Sequence, residues 1–312
     1  MEEKQKKETS PTQTNKKGII HTAKEWLFHP RASASSRKVA LFTFLLIFAV
    51  FFIYPMIFVI INSFRPNGAI ITNPLGLPNL ADWKRLRPDA IPFFANYAQA
   101  WTTMQFPKVF LHTLLITFFG TAGIILTSAM CAYGLAREES KISWILYGFF
   151  AFSLVIPFQI IMVPIGVLAK DLNFMNIPGI IVMYWGVGCP TAIFMFHGFI
   201  KSVPKELEES AAIDGAGKFY IFFVIVLPLI KTIIATIAVI DALWLWNDFL
   251  LPLIVIKEGT IQLAQMRFNG QFMKDYAPMC ASLAISSIPI ILFYLSLQRY
   301  IIKGIAAGAV KG

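Results

Sequence analysis

The stretch PKELEESAAIDGAGKFYIFFVIVLP, residues 204–228, decides how the rest of the chain is read. Pro204 suits the first turn of a helix, where a missing N–H has no partner to lose, and Glu206, Glu208 and Glu209 suit that helix's positive end. Ala211, Ala212 and Ile213 continue it, and Gly215 can close it in a left-handed conformation. The spacing predicts a helix of about 11 residues, near 16 Å at about 1.5 Å per residue. That helix is too poor in apolar residues to cross a membrane and too rich in them to be a mere connector. A second helix follows from Phe219 to Leu227, and Pro228 breaks or bends it. Such a short amphipathic helix suits docking into a cleft on another protein, where its alanines allow close approach and its acids orient it. Three glutamates in one turn argue against a helix lying on the negatively charged inner leaflet.

On either side of this stretch the chain is strongly apolar. Hydrophobic residues make up 57% of the 312 and charged residues 14%, with 29 Phe. Soluble domains carry about 25% charged residues, and disordered chains are charge-rich and poor in aromatics, so both classes are excluded. The 19 Gly and 3 Cys exclude collagen-like and disulfide-stapled folds. An all-α membrane protein remains. A crossing takes about 20 apolar residues, and the expected spans are 39–61, 109–135, 142–169, 177–200, 229–251 and 279–297. Six spans place residues 204–228 between the fourth and the fifth.

With the N-terminus inside, 18 of the 27 Lys and Arg fall on the inner side, nine of them in residues 1–38. Both termini are therefore expected in the cytoplasm, and the net charge of +10 is a topology signal rather than a nucleic-acid footprint. The expected organisation is a basic N-terminal tail 1–38, a six-span domain 39–298 with the loop 201–228, and a C-terminal tail 299–312. The apolar run after the basic tail is too long for a cleavable signal and reads as an uncleaved anchor. Pro66, Pro74, Pro78, Pro88 and Pro92, in the segment from Phe64 to Lys108, argue against a long regular element there.

Catalytic chemistry is not expected. His21, His29, His112 and His197 are scattered without metal-ligand spacing, and Cys131, Cys189 and Cys280 read as small packing residues. Asp214 to Lys218 resembles the end of a phosphate-binding loop, but Ala212 stands where its first glycine belongs and Phe219 where its hydroxyl belongs. Of the acids within spans, Asp241 is the deepest, at a cost of about 2.5–3.5 kcal/mol on insertion scales. It reads either as a substrate or gate contact or as a hydrogen bond to a neighbouring helix or subunit.

Glu209-Ser210-Ala211, then Gly215, then Ile225-x-Leu227-Pro228 resembles the coupling-loop signature of ATP-binding-cassette importer permeases. That signature runs Glu-Ala-Ala, three residues, Gly, nine residues, Ile-x-Leu-Pro, and Ser210 is the one departure. The C-terminal run from Gln298 to Gly304, closing with residues 307–312, is similar to the tail of the smaller permease of carbohydrate importers such as the maltose transporter. Asn96-Tyr97 and Trp246-Asn247-Asp248-Phe249 resemble the same group, while His112 stands where Asn is expected. The resemblance implies a type I importer permease fold with six transmembrane helices, a cytoplasmic coupling helix and a place in the prokaryotic inner membrane. It also implies a second, different permease, two ATP-binding subunits that hold the ATP and magnesium, and an extracytoplasmic binding protein.

In that frame Glu209, Ser210, Ala211, Asp214, Gly215, Ala216, Ile225, Leu227 and Pro228 engage an ATPase. Gly304, Gly308, Val310, Lys311 and Gly312 reach between the two ATPases. A sugar path calls for aromatic faces with amides and hydroxyls, and the candidates are Gln159, Tyr184, Trp185, Trp244, Asn247 and Asp248. Tryptophan near a span end is also a common interface anchor. The expected function is import of a sugar or oligosaccharide. A non-sugar cargo for the same machine is the alternative, and a secondary carrier or channel would call for inverted repeats and more intramembrane charge.

Overall fold

The computed structural model describes the backbone of residues 32–270 and 274–309, with side chains over 38–296 apart from 271–273, and at 298. Most of the tail 1–38 lies outside the described residues. The chain comprises two units, Met1–Phe58 and Val59–Gly312. The first contains most of α1, Ala32–Ser63, a helix of 32 residues with Pro55 inside it. At about 1.5 Å per residue it is long enough to span a bilayer. Its phenylalanines recur at four-residue spacing on one side, with ring centroids 4.5 Å apart for Phe44–Phe48 and 6.2 Å for Phe48–Phe52.

In the second unit three short helices follow, α2 Asn67–Thr72, α3 Leu80–Leu86 and α4 Ala95–Met104. Prolines separate them, as the sequence implies, because Pro restricts its own φ and the residue before it. Asn96 is fully buried and donates to the carbonyls of Ser63 at 2.9 Å and Arg65 at 2.8 Å. It thereby satisfies carbonyls that the end of α1 leaves without intrahelical partners. Tyr97 Oη lies 2.7 Å from Ser63 Oγ, so the Asn96-Tyr97 pair seals this helix end. Arg65 is 2% exposed and donates to Asn62 Oδ1, Ala69 O and Asn73 O at 2.8, 3.0 and 2.7 Å. We predict that Asn96→Ala lowers stability by about 1–3 kcal/mol, since two inward-facing carbonyls lose their donor. Denaturant unfolding of the purified protein checks this, and Asn96→Asp should fare no better because a carboxylate cannot donate to them.

The remaining helices are α5 Phe106–Arg137, α6 Lys141–Ser153, α7 Phe158–Asp171, α8 Ile177–Ile200, α9 Glu206–Ile213, α10 Lys218–Leu229, α11 Lys231–Asn247, α12 Leu250–Val255, α13 Ile261–Gln265 and α14 Tyr276–Ala309. α5 and α8 pack along each other, and α11 lies against α5, α8 and α14. One core, with Ile124, Ile180, Phe196 and Ile237, joins α5, α8 and α11; a second, with Met104, Phe106, Trp246 and Phe268, joins α4 to α11, α13 and α14.

Among the described residues four helices are long and apolar enough to span, and two bent pairs bring the count to six if each pair is one crossing. The third expected span, 142–169, is therefore corrected: α6 and α7 meet at 105°. Pro157 is extended, with φ −62° and ψ 137°, and Pro also drives the residue before it out of the helical region. The fifth expected span, 229–251, is α11 with a 78° bend from α10 before it and a separate α12 after it. Pro228 has no N–H to give, and the six residues before α10's last turn are π-helical, with the break at Ile230. The tail expected from residue 299 continues α14 without interruption to Ala309, so Gly304 and Gly308 are helical positions. Val310, Lys311 and Gly312 lie outside the described residues.

Candidate functional site

α9 is shorter than the sequence suggests, eight residues rather than about 11. The Lys205 carbonyl accepts from the N–H groups of Glu208 and Glu209 at 2.9 and 3.0 Å, which makes Lys205 the cap and leaves Pro204 outside. The other end closes as expected. The Gly215 N–H donates to Ala212 O at 3.1 Å and the Ala216 N–H to Ala211 O at 3.0 Å, the paired bonds of a Schellman turn. Gly215 has φ +87°, where glycine alone is unstrained. The loop-like run from Asp214 to Lys218 is thus a helix closure followed by the start of α10.

A clamp that sequence reading missed holds α9 to the bundle. Glu208, alone among the acids in α9's first turn, is buried. Its carboxylate accepts from Tyr133 Oη at 2.8 Å and from Arg137 Nε and Nη2 at 2.8 and 2.5 Å. Arg137 Nη2 also donates to Val203 O at 3.0 Å, so the last turn of α5 holds both the approach to α9 and its first turn. Both Arg137 nitrogens converge on Oε1 and Tyr133 takes Oε2, so the carboxylate is held by three charge-assisted hydrogen bonds, the strong class. The only local hint was a basic residue closing a span opposite an acidic helix start. Beside it Lys205 Nζ lies 2.5 Å from Glu139 Oε1, and that hydrogen bond and charge hold the exposed Glu139 carboxyl below the usual carboxylate range.

With Glu208 directed inward, the outer surface of α9 carries Leu207 and Ile213, 45% and 86% exposed. Glu209, Ser210, Asp214 and Gly215 are exposed, and Ala211 and Ala216 are half-buried. Ile225 and Leu227 are half-buried within α10, and Pro228 is exposed at its end.

The path candidates divide. Tyr184, on α8 and fully buried, donates through its hydroxyl to Asp248 Oδ2 at 2.7 Å, and its ring meets Trp244 edge-on at 5.5 Å. Asp248 Oδ1 accepts from the Leu250 N–H at 3.0 Å and so starts α12. Trp185 donates instead to Phe119 O at 3.0 Å, and Asn247 to Leu243 O of its own helix at 2.8 Å. Gln159 is exposed in the first turn of α7 and joins none of these groups. Trp246 is buried and donates to Ser286 O on α14 at 3.3 Å. His112 Nδ1 lies 3.2 Å from Gly259 O. Asp241 is 4% exposed, and its Oδ2 has no hydrogen-bond partner among the described residues. The bond to a neighbouring helix is thus not made by that oxygen.

A spanning bundle with a clamped helix at one end agrees with what this chain is similar to. Residues 120–307 match the family described as binding-protein-dependent transport system inner membrane component. The chain is 36% identical over 275 residues to a probable starch degradation products transport system permease protein, AmyC, of Thermoanaerobacterium thermosulfurigenes, covering 87% of this chain and 96% of that one. It is 33% identical to the multiple sugar-binding transport system permease protein MsmG of Streptococcus mutans, covering 84% and 93%. A chain from the crystal structure of a bacterial ABC transporter involved in import of the acidic polysaccharide alginate superimposes with a TM-score of 0.71 at 21% identity, over 88% of this chain and 99% of that one. The protein is a multi-pass transport subunit and not an enzyme: it belongs to the family of binding-protein-dependent transport system inner membrane components, the permeases of ATP-binding-cassette importers, which work with ATPase and binding-protein partners.

Proposed function

We propose that this chain forms half of the translocation pathway for a sugar or oligosaccharide and couples to an ATPase through α9. The observation that carries the coupling role is Ile213, 86% exposed on a helix whose other side is fastened by Glu208. A bare aliphatic side chain on a rigid mount suits a groove in a partner. Glu209 and Asp214 orient the helix there, Ser210, Ala211 and Ala216 allow close approach, Gly215 makes the turn, and Ile225, Leu227 and Pro228 set the bend behind it. The cargo assignment is supported by the named substrates of the two permease relatives.

The complete machine contains a second, different permease and two ATP-binding subunits, which hold the ATP and magnesium. An extracytoplasmic binding protein delivers the solute. The Lys and Arg distribution supports cytoplasmic termini, and the ATPases are the proposed contact of Gly304, Gly308, Val310, Lys311 and Gly312. Tyr184, Trp244 and Asp248, with Gln159, Trp185 and Asn247 as outlying candidates, are the groups to test for sugar contact.

Gly215→Val tests the coupling role. A Cβ at Gly215 would meet nothing within 4 Å, so the substitution acts through the left-handed backbone alone. For a β-branched residue that costs about 1–2 kcal/mol, confined to the closure of α9. Uptake of labelled starch-derived oligosaccharide and ATPase pull-down should both fall sharply while the bundle's unfolding transition holds. Unchanged uptake and association would remove α9 as the coupling element. Uptake of labelled oligopeptides in place of the sugars would overturn the cargo and leave the coupling intact.

A further inference from the structure

The ends of α5, α6 and α8 border a half-open cavity of about 320 Å3 beside the Arg137–Glu208 clamp. Glu138, Glu139, Ser140, Tyr147, His197 and Lys201 line it. His197 is only 6% exposed, and its ring stacks on Tyr147 with centroids 3.9 Å apart and planes 25° from parallel. Among the described residues neither its ring nitrogens nor the Tyr147 hydroxyl has a hydrogen-bond partner. These polar atoms are not sealed from solvent: Tyr147 is half-buried, and both side chains line the cavity with hydrogen-bonding capacity to spare. The cavity thus offers polar atoms to a ligand.

Charge narrows the ligand. Glu139 is engaged by Lys205, which leaves Glu138 and Lys201 as the wall's charges without an ion pair among the described residues. One carboxylate and one ammonium without an ion pair match a zwitterion, whereas a plain anion would meet Glu138 and a plain cation would meet Lys201. Position narrows it further. On α6, directly beside the cavity, Ile142, Trp144 and Ile145 are 69%, 77% and 61% exposed. Bare aliphatic side chains around a tryptophan at a span end mark the level where headgroups meet hydrocarbon. A molecule with a zwitterionic head and an apolar tail would match both features.

We propose that this cavity holds the headgroup of an ethanolamine phospholipid. Lys201 and the His197 ring N–H bind its phosphate, Glu138 accepts from its ammonium, and its acyl chains lie along Trp144 and Ile145. A primary ammonium donates hydrogen bonds to a carboxylate, which choline cannot. The same wall carries Glu139, which grips Lys205 at the foot of α9, so an occupied cavity steadies the 138–140 turn on which α9 rests.

The test is native mass spectrometry of the intact transport complex after graded delipidation. The probes are ethanolamine, choline and glycerol phospholipids of identical acyl chains. The ethanolamine lipid should be retained preferentially. Lys201→Gln, Glu138→Gln and His197→Phe should each reduce that retention about fivefold, the weight of one hydrogen bond to the headgroup. Glu138 and Lys201 are exposed, so their variants fold, and His197→Phe keeps the stack on Tyr147. Equal retention of all three lipids, stronger retention of the glycerol lipid, or variants that retain the ethanolamine lipid like the parent would each overturn the proposal.

Discussion

Glu208→Ala is expected to lower stability by about 3–5 kcal/mol, because it leaves Arg137 nearly buried and unpaired. The side chains of the pair are only 14% and 11% exposed, so solvent screens them little. Tyr133 loses its acceptor in the same step. The consequence for transport should exceed the loss of fold: α9 stays joined to the chain but no longer has a fixed position. On the coupling role proposed for α9, ATP hydrolysis should then lose its connection to the bundle, and solute uptake should stop while the ATPases remain folded. Urea titration of the purified complex reads the first effect, and uptake set against ATP turnover reads the second. Removing both partners, Arg137→Leu with Glu208→Leu, should recover much of the stability and none of the coupling. Apolar replacement of a buried pair is often neutral, but it cannot aim a helix. A single-variant cost below about 1 kcal/mol would mean that the clamp is solvent-screened and does not position α9.

Gly123→Ala is expected to lower stability by about 2–4 kcal/mol, from overpacking and a lost hydrogen bond. A Cβ at Gly123 would stand 1.9 Å from Trp185 Nε1 and 2.0 Å from Cε2. The indole must move, and its bond to Phe119 O goes with it. This glycine permits the approach of α5 to α8, as small residues do where no hydrophobic drive joins helices in a bilayer. Thermal unfolding in detergent measures the loss. Trp185→Ala placed on Gly123→Ala should recover part of it, since the clash needs both side chains. If the second substitution adds a full independent loss instead, Gly123 matters for another reason.

The two substitutions mark where sequence reading ended. Gly123 looks like any glycine in an apolar run, because its role depends on a tryptophan 62 positions later on another helix. Glu208 looks like Glu206 and Glu209, all acids suited to a helix start. Which of the three turns inward depends on where Arg137 ends α5. Tyr184 and Asp248, 64 positions apart, were both legible as polar groups on spans, but their mutual bond was not. The closure at Gly215 was legible, since a left-handed turn needs glycine whatever surrounds it.

By itself the sequence determined the all-helical membrane class, the six apolar segments, the closed helix between the fourth and fifth, and the permease family. These follow from length, apolar runs, turn residues and a spaced motif, all properties of neighbouring positions. Only the tertiary structure decided that the third and fifth segments bend by 105° and 78°, that α9 has eight residues, and that Arg137 holds it. It also stacked His197 on Tyr147 in the wall of a cavity beside that clamp. The physical reason is the same throughout. Local patterns state what the backbone prefers and which residues avoid water, whereas a buried polar group's partner is chosen by which helix ends become neighbours.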